Sequence, residues 1–373
     1  MEIADSRIRL CDMRILIPVL GFGRSGGYRV ISELANCWTN IGHHVSILAN
    51  ENSAPPYFPT AAEIIWIDDD GNRVARCTGS ARPGSINVFR NLRSIHRALV
   101  SRQIEHDVVL ANHSLTAWPV QLARTKAKRF YYIQAYEPDY YKARGGFRGA
   151  VLRLLSCATY YFPLTRIVNS PVYLNFKKIR ANWSVPPGVD FRKFHPTLDR
   201  LPCAISNRPV VIGCIGRTEP EKGTRYVIDA YRQLLARGAP VALRVAFGNL
   251  PDGAADIPGV RVVTPRDDRE LGEYYRSLDI LIAPVTDQFG APHFPVMEAM
   301  ACGIPVITTG HLPANARNSI IVPPNDILAI VAAVDRLMEN PEIALAKREQ
   351  SLQDIRLYDW LTAAERMLAC FEQ

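Results

Sequence analysis

The residues best suited to chemistry stand in one loop and the short helix predicted to follow it, between Phe289 and Ile307. Pro295 suits the first turn of a helix, because its missing N–H costs nothing there. The free N–H groups beside it favour an anion by about 0.3–1 kcal/mol. Glu298, predicted to lie in the same turn, cannot itself be the anion's partner, but it can accept hydrogen bonds from vicinal hydroxyls, as on a ribose. The segment is therefore predicted to hold a polar, phosphorylated ligand.

A second loop carries two cations. Gly216–Gly223 reads GRTEPEKG and stands between an apolar run and an amphipathic one. Arg217, with its forked guanidinium, and Lys222, as a point charge, could together clamp a diphosphate. A solvated loop often carries such a pair as well, so this prediction depends on the loop's combination with the Glu298 segment.

A third loop, Gly21–Gly27, reads GFGRSGG after the first predicted strand. Glycine permits close approach of the backbone to a ligand. The spacing is not G-x-G-x-x-G with an acidic residue on the next strand, which disfavours dinucleotide binding. Any tight turn from strand to helix would also use glycine, so a ligand contact and a purely structural turn both stay open.

The elements that must position these loops alternate between strand and helix, which predicts parallel sheets covered on both faces. Ligands of such sheets bind at the carboxyl ends of the strands. In the first half the predicted strands are 14–20, 44–49, 63–68, 107–111 and 129–134, and the predicted helices are 26–41 and 86–103. In the second half the predicted strands are 210–216, 241–247, 261–263, 280–284 and 304–308, and the predicted helices are 224–237 and 268–277.

The break at residues 186–190, PPGVD, separates two similar halves. We therefore predict an α/β protein with two Rossmann-like, doubly wound parallel-sheet domains facing a central cleft. The predicted divisions are a disordered tail (1–12), a first domain (13–188), a linker (189–208), a second domain (209–350) and a C-terminal helix (351–373) crossing back to the first domain. Met13 could be the native start instead of Met1.

Composition narrows the function classes. The 373 residues carry a net charge of +8, and residues 1–190 hold 24 Lys and Arg against 14 Asp and Glu. This half should therefore meet an anionic partner, which could be a membrane surface, a pyrophosphate lipid or a nucleic acid, unless it is merely a soluble basic face. The 8 cysteines are scattered without a C-x-x-C pair, which favours buried reduced thiols over metal ligands.

Three segments of the chain, taken together, resemble a known family. Gly216–Gly223 resembles the G-R-x-x-x-E-K-G loop of the large retaining glycosyltransferase family four, which has the GT-B fold. Residues 295–307, PVMEAMACGIPVI, are similar to that family's P-x-x-E-A-M-A-x-G-x-P-V-I. Residues 187–190 with Phe194 and Pro196 resemble its N-G-V-D-x-x-x-F-x-P. The resemblance covers nearly the whole chain from residue 14 and is strongest over 210–325.

One position departs from the family pattern. The first glutamate of the family's E-x7-E, which touches the transferred sugar, falls at Gly290 here. The second, which binds the nucleotide ribose, matches Glu298. The resemblance thus implies nucleotide binding with an altered sugar contact, as for a deoxy sugar. Residues 133–138, IQAYEP, are similar to a subgroup with rhamnosyltransferases of bacterial surface glycans, and carry Gln134 and Glu137 where the family often has His and Asp.

The resemblance implies a hexosyltransferase-type reaction that retains the anomeric configuration, with no metal and no cofactor beyond the nucleotide-sugar co-substrate. In the family the departing phosphate itself can take the acceptor's proton. The residues carried over as catalytic are Arg217, Lys222 and Glu298. Those expected to bind the donor are Gly23, Gly216, Thr264, Pro265, Gly290, Ala291, Pro292, His293, Phe294, Pro295 and Val296. Those expected to bind the acceptor are Arg24, His113, Gln134 and Glu137.

The first domain is expected to receive a saccharide or lipid-linked acceptor. Residues 142–155, KARGGFRGAVLRLL, interleave basic and apolar residues, which suits an interfacial helix on anionic lipid. A surface helix packed on its own sheet is the alternative. The predicted location is cytoplasmic, on the inner face of the plasma membrane.

Other readings of the sequence differ in function class. A glycogen- or sucrose-type transferase would not need the basic first half. A nucleic-acid-binding protein would use that half, but no recognised motif supports it. A non-catalytic GT-B scaffold would explain Gly290.

Overall fold

A computed structural model describes residues 12–77, 87–101, 104–197, 208–286 and 291–373, without the side chains of Ala143 and Arg144. The predicted tail therefore lies outside the described residues except for Asp12. The chain forms two compact units. The first comprises residues up to Pro186 together with Ala363–Gln373, and the second comprises Pro187–Thr362.

The first unit is built on one eight-stranded sheet. Its strands are β1 (Arg14–Pro18), β2 (His44–Asn50), β3 (Glu63–Ile67), β4 (Arg73–Val74), β5 (Val108–Ala111), β6 (Lys128–Ile133), β7 (Thr165–Val168) and β8 (Trp183–Ser184). The strand order is β4-β3-β2-β1-β5-β6-β7-β8. All pairings are parallel except that of β3 with the short edge strand β4. The order reverses between β1 and β5, where ligands of doubly wound sheets bind.

The helices of the first unit cover this sheet. They are α1 (Gly26–Asn40), α2 (Val88–Val100), α3 (Ser114–Leu122), α4 (Pro138–Arg144) and α5 (Gly146–Thr159), followed by a 3-10 helix at Pro171–Asn175. In α1 the apolar residues recur at helical spacing, so Val30, Leu34 and Trp38 are all buried against the sheet. The apolar strands β1 and β5 are buried almost throughout, as expected for central parallel strands.

The second unit has a six-stranded sheet that is parallel throughout. Its strands are β9 (Val210–Ile215), β10 (Val241–Ala246), β11 (Val260–Val263), β12 (Ile280–Ala283), β13 (Val306–Thr308) and β14 (Ile320–Ile321), in the order β11-β10-β9-β12-β13-β14. Its helices are α6 (Thr224–Ala236), α7 (Asp268–Arg276), α8 (Phe294–Ala301), α9 (Ile327–Glu339) and α10 (Pro341–Ile355). Here the strand order reverses between β9 and β12.

The fully buried Asp279 fixes the start of β12 beside β9. Its carboxylate accepts two hydrogen bonds of 2.7 Å from the Arg208 guanidinium and one of 2.8 Å from the Val211 N–H. The part of the predicted linker that is described also packs in this unit. Phe194 is buried and Val189 forms a β-bridge with Asp359.

The predicted α/β class with two parallel-sheet domains is confirmed, and most of the predicted elements end within one or two residues of those observed. The predicted C-terminal helix is wrong in one respect. Two helices occupy this stretch, since α10 ends at Ile355 and Asp359 caps a new helix, α11 (Trp360–Glu372), by accepting from the Leu361 and Thr362 N–H groups. The carbonyl of Tyr358 instead accepts a hydrogen bond of 2.8 Å from the Val189 N–H.

The last helix, α11, packs its second half in the first unit. The Trp38 indole donates a hydrogen bond of 3.0 Å to the Ala364 carbonyl, and Phe371 packs its ring against those of Trp38 and Phe130. The Lys128 ammonium donates to the carbonyls of Phe371 and Glu372. Among the described residues, no helix has both the length and the apolar character needed to span a bilayer.

Candidate functional site

The loop after β9 is fixed by backbone contacts at both of its glycines. A Cβ on Gly216 would lie 1.6 Å from the Gly248 carbonyl oxygen, so only glycine fits. Gly223 has a φ of +75°, and a Cβ there would lie 2.4 Å from the Pro284 oxygen. These contacts set the position of Arg217 and Lys222 at the carboxyl end of β9, at the point where the strand order reverses.

Arg217 is held within its own loop. Its guanidinium donates to both carboxylate oxygens of Glu219, at 3.1 and 2.6 Å, and its backbone N–H donates to Thr224 Oγ1 at 2.9 Å. The Arg217 guanidinium lowers the pKa of Glu219 to about 2. A diphosphate at Arg217 would therefore compete with an ionised carboxylate, a contact that the sequence analysis did not anticipate.

The start of α8 differs from the prediction in two ways. The helix begins at Phe294, so Pro295 occupies its first turn as predicted, but Glu298 lies in the second turn. His293 stands at the N-cap of the helix, and its side chain makes no capping hydrogen bond. The second difference concerns the amides. The N–H groups of Val296 and Met297 donate to the His293 carbonyl at 3.0 and 3.1 Å, so they are already paired.

Glu298 is a buried carboxylate with a buried partner. It is 2% exposed, and its Oε2 accepts a hydrogen bond of 2.8 Å from the hydroxyl of Tyr275 on α7. Burial and the Glu298 charge together raise the pKa of Tyr275 well above its ordinary value, so the phenol stays a donor. Phe194 packs edge-on against the Tyr275 ring at 6.1 Å. The carboxylate is thus held in one orientation.

His293, at the start of α8, lies close to the loop after β9 that carries Arg217 and Lys222. Its ring lies 5.6 Å from that of His311, and its Nδ1 is buried without a hydrogen-bond partner among the described residues. Burial lowers its pKa well below the ordinary value, and the charges of His311, Lys222 and Arg217 lower it further. Burial also lowers the pKa of His311, with a contribution from Lys222. The structure therefore brings Arg217, Lys222 and His293 close enough to interact electrostatically.

Backbone and side-chain hydrogen bonds hold these loops against one another. The N–H of Thr286 donates to the Glu221 carbonyl at 2.8 Å, which joins the loop after β12 to the loop after β9. The Val285 carbonyl accepts from the Thr309 hydroxyl and lies 3.2 Å from His311 Nε2. The carboxyl ends of β9, β12 and β13 therefore form one polar cluster within the second unit.

Acidification should destabilise the protein through His293. Its pKa is lowered in the folded state, so the unfolded chain binds more protons once the pH falls below about 6.5, which favours unfolding by at most about 1.4 kcal/mol per pH unit for one histidine. We expect His293→Gln to reduce the loss of unfolding free energy between pH 7 and pH 5, measured by urea denaturation. The exposed His195, replaced in the same way, is the matched control. An equal pH dependence of the unfolding free energy in both variants would contradict the assignment of this acid sensitivity to His293.

The other predicted donor residues are spread around this cluster. Ala291 and Val296 are buried, whereas Pro292, Phe294 and Pro295 are partly exposed. Gly290 lies outside the described residues. Thr264 is exposed and Pro265 is buried, both after β11, an edge strand two places from β9. In the first unit, a Cβ on Gly23 would lie 2.9 Å from the Tyr28 ring, which accounts for that glycine sterically.

Two of the predicted acceptor residues meet at the carboxyl edge of the first sheet. Glu137 is buried and its Oε2 accepts a hydrogen bond of 2.7 Å from the Ser114 N–H, at the start of α3. His113 Nδ1 lies 3.4 Å from the same oxygen and accepts from the Leu115 N–H. Both side chains thus cap a helix, which is a structural role.

The other two predicted acceptor residues have separate surroundings. The Gln134 amide donates to the Gly27 carbonyl at 3.3 Å, which ties the end of β6 to the glycine loop after β1. Arg24 is exposed, and its guanidinium lies 4.8 Å above the Tyr57 ring. The Asn112 and Asn169 amides also bond carbonyls at this edge, those of Pro18 and Gln134.

The two halves of the chain match two family models. Residues 209–340 match the model described as glycosyl transferases group 1, and residues 25–171 match the model described as glycosyl transferase 4-like domain. Both halves of the chain are thus similar to glycosyl transferases. The motifs that carry the resemblance lie in the loop after β9 and in α8, where the cluster around His293 forms.

Curated relatives match about half of the chain. A D-inositol 3-phosphate glycosyltransferase of Corynebacterium jeikeium is 29% identical over 51% of this chain and 51% of its own length. The lipopolysaccharide core biosynthesis mannosyltransferase LpsB of Rhizobium meliloti is 28% identical over 43% of this chain and 51% of its own. The chain thus spans about half the length of the curated relatives it matches.

Solved structures resemble the chain over nearly its full length. The sucrose-phosphate synthase of Thermosynechococcus elongatus has a TM-score of 0.76 at 19% identity, with 97% of this chain and 98% of that one covered. Anabaena HepE in complex with UDP and glucose has a TM-score of 0.67 at 14% identity, with coverages of 97% and 100%. WaaG, a glycosyltransferase involved in lipopolysaccharide biosynthesis, has a TM-score of 0.68 at 15% identity, with coverages of 96% and 99%. These likenesses confirm the GT-B fold.

Proposed function

We propose that the protein is a glycosyltransferase that moves a sugar from a nucleotide-sugar donor to a saccharide or lipid-linked saccharide. The observation that carries this proposal is the cluster of Arg217, Lys222 and His293 at the strand reversal of the second unit. Two cations from one loop stand beside the start of α8, and the buried Glu298 on that helix is oriented by Tyr275. The named relatives, which are glycosyltransferases, support the same reaction class.

In the proposed reaction the second unit binds the donor. Arg217 and Lys222 neutralise the diphosphate as it leaves with the bonding electrons of the broken glycosidic bond, which stabilises the transition state more than the ground state. The acceptor hydroxyl oxygen forms the new bond to the sugar carbon and passes its proton to the departing phosphate. Glu298 accepts hydrogen bonds from the ribose hydroxyls. His293 stays neutral because its pKa is lowered, so it can donate or accept one hydrogen bond without adding charge.

We further propose retention of the anomeric configuration, with no metal ion required. Two cations can supply the charge that a divalent ion would otherwise bring to the diphosphate. Full activity in excess EDTA is the expected result, and restoration of a lost activity by Mg²⁺ or Mn²⁺ would contradict it.

The donor sugar is the finer part of the proposal. Gly290 in place of a glutamate supports a sugar with fewer hydroxyls to hold, such as rhamnose. The relatives' names point elsewhere, to a mannosyl donor in one case. A panel of dTDP-rhamnose, GDP-mannose, UDP-glucose and UDP-N-acetylglucosamine separates these donors by release of the nucleoside diphosphate. Preference for a fully hydroxylated hexose would refute the rhamnosyl proposal.

A binding screen with UDP, GDP, ADP and dTDP tests the nucleotide site without an acceptor. A nucleotide at about a hundred times its dissociation constant should stabilise the fold by about 2.7 kcal/mol, which a thermal shift detects. No shift with any of the four would count against the whole proposal.

The first unit is proposed to receive the acceptor at the edge formed by His113, Gln134 and Glu137, close to an anionic membrane on its cytoplasmic side. In α5, Phe147 and Leu154 are 85% and 71% exposed, and Arg148 and Arg153 are exposed between them. Such an alternation of apolar and basic residues suits a lipid surface. Sedimentation with anionic vesicles that weakens as salt rises is expected, and equal binding to neutral vesicles would contradict it.

A further inference from the structure

A cavity of about 440 Å³ lies in the first unit beside α5. Its floor is aromatic. Tyr160 is 1% exposed and stacks on Tyr136 at 5.7 Å and 17°, and on Tyr131 at 6.3 Å and 10°. The buried Tyr160 hydroxyl has no hydrogen-bond partner among the described residues. The volume is within the range of small-molecule sites, which is about 300–1,000 Å³.

The rim of this cavity is cationic. Arg153 and Lys178 line it and are exposed, and neither makes a salt bridge in the part of the chain that the structure describes. The nearby Arg180 lies 5.2 Å from the Tyr161 ring, another lining residue. Arg166 donates to the carbonyls of Arg180 and Phe162, and burial together with the Arg180 charge lowers its pKa. The positive potential here is therefore available to an anion from outside.

The same rim is also apolar. Leu154 and Tyr161 line the cavity and are 71% and 65% exposed. Phe147, on the same face of α5 as Leu154, is 85% exposed. Large apolar side chains grouped at one exposed place mark a binding surface. An occupant that matches both features must carry a phosphate for Arg153 and Lys178 and a hydrocarbon chain for Leu154 and Tyr161.

The cavity lies beside the predicted acceptor edge. Tyr136 directly precedes Glu137, and the Tyr131 hydroxyl under the Tyr160 ring donates to Glu137 Oε1 at 3.3 Å. A lipid phosphate held at Arg153 and Lys178 would therefore keep an attached saccharide near His113 and Glu137. We propose that this cavity binds one molecule of a phosphorylated lipid, through its phosphate and the first part of its hydrocarbon chain, and that this lipid carries the acceptor. The last clause rests on the proposed function.

Calorimetry with monomeric farnesyl diphosphate tests the binding. Arg153→Gln and Lys178→Gln should each weaken it about tenfold, the loss expected from one charge-assisted hydrogen bond. Arg148→Gln, on the same helix but outside the cavity lining, should stay within about twofold by the same reasoning. Equal losses of affinity in Arg148→Gln and Arg153→Gln would mean that farnesyl diphosphate binds a diffuse basic surface rather than the cavity, and would overturn the proposal.

Matched ligands and variants test the phosphate and the hydrocarbon chain of the bound lipid separately. Inorganic diphosphate and farnesol should each bind at least about tenfold more weakly than farnesyl diphosphate. Leu154→Asp should abolish binding, while Leu328→Asp, at a leucine of the second unit that is 70% exposed, should not change it. Diphosphate binding as tightly as farnesyl diphosphate, or binding only to anionic vesicles, would overturn the proposal.

A further control keeps this proposal apart from the donor site. Lys222→Ala should leave farnesyl diphosphate binding unchanged, and Arg153→Gln should leave the thermal shift by nucleoside diphosphates unchanged. Farnesyl diphosphate binding that is lost with Lys222→Ala would place the lipid diphosphate in the donor site and overturn the cavity assignment. Lipid binding without any nucleotide shift would retain the cavity and refute the glycosyltransferase proposal instead.

Discussion

Lys222→Ala should lower the turnover of the nucleotide-sugar donor about 10²- to 10³-fold, the range for removal of one group that stabilises developing charge. The ammonium stands in a loop whose backbone is fixed by Gly223, and its charge acts on His293 across the cluster. Fold stability should change little, since Lys222 is partly exposed. The measurement is kcat for release of nucleoside diphosphate, with circular dichroism as the check on folding.

Arg217→Ala should cost more than Lys222→Ala. Besides losing a cation, it leaves the Glu219 carboxylate in the loop without its partner, so a negative charge would face the diphosphate. The double variant Arg217→Ala/Glu219→Gln should therefore recover part of the lost turnover. Arg225→Ala is the matched control, since this exposed arginine lies over the Tyr226 ring at 4.8 Å, outside the cluster. Turnover equal to that of the control in both single variants would remove these residues from the mechanism.

Glu298→Gln should raise the donor KM about 10- to 100-fold, because hydrogen bonds to a charged group contribute about 1.5–3 kcal/mol. Glutamine keeps the shape of the buried side chain but loses the charge that accepts from two ribose hydroxyls. The effect should appear equally with every sugar on one nucleotide and should be absent for the acceptor KM. An unchanged donor KM would contradict the ribose assignment.

Tyr275→Phe should produce a smaller rise in the same donor KM, since the carboxylate would lose the hydroxyl that orients it. Tyr274→Phe provides the matched control. Its hydroxyl is also buried, but it donates to the carbonyls of Cys214 and Arg244 rather than to Glu298. That variant should lose stability without a change in donor KM, so the pair separates orientation of Glu298 from general destabilisation of α7.

Much of the fold was predictable because short stretches of sequence determine it. Strands such as β5 and β12 are short apolar runs, and the glycines of the loop after β9 stand where the backbone approaches Gly248 and Pro284. A Cβ at either position would clash with a backbone oxygen, so glycine is required there whatever the rest of the sequence. The break between α10 and α11 carries no glycine or proline, but Asp359 caps α11 by accepting hydrogen bonds from the Leu361 and Thr362 N–H groups, a helix-start signal that the prediction of one helix missed.

The site was predictable in its residue types but less so in their partners. Tyr275 is 23 residues from Glu298 in sequence, and no pattern connects them until α7 and α8 pack together. Glu219 stands in the predicted loop, yet only the structure pairs it with Arg217. Glu137 is a similar case. Its position after a predicted strand was readable from the sequence, but the hydrogen bond that its carboxylate accepts from the Ser114 N–H was not.

The position of α11 has a consequence for the order in which the protein is made. The first unit needs Ala364 and Phe371 to cover Trp38 and Phe130, and the ribosome makes these residues only after the whole of the second unit. The second unit, by contrast, is one continuous segment of chain. Synthesis therefore begins the first unit before the second but completes it afterwards, and until then the Trp38 and Phe130 side chains lack their cover.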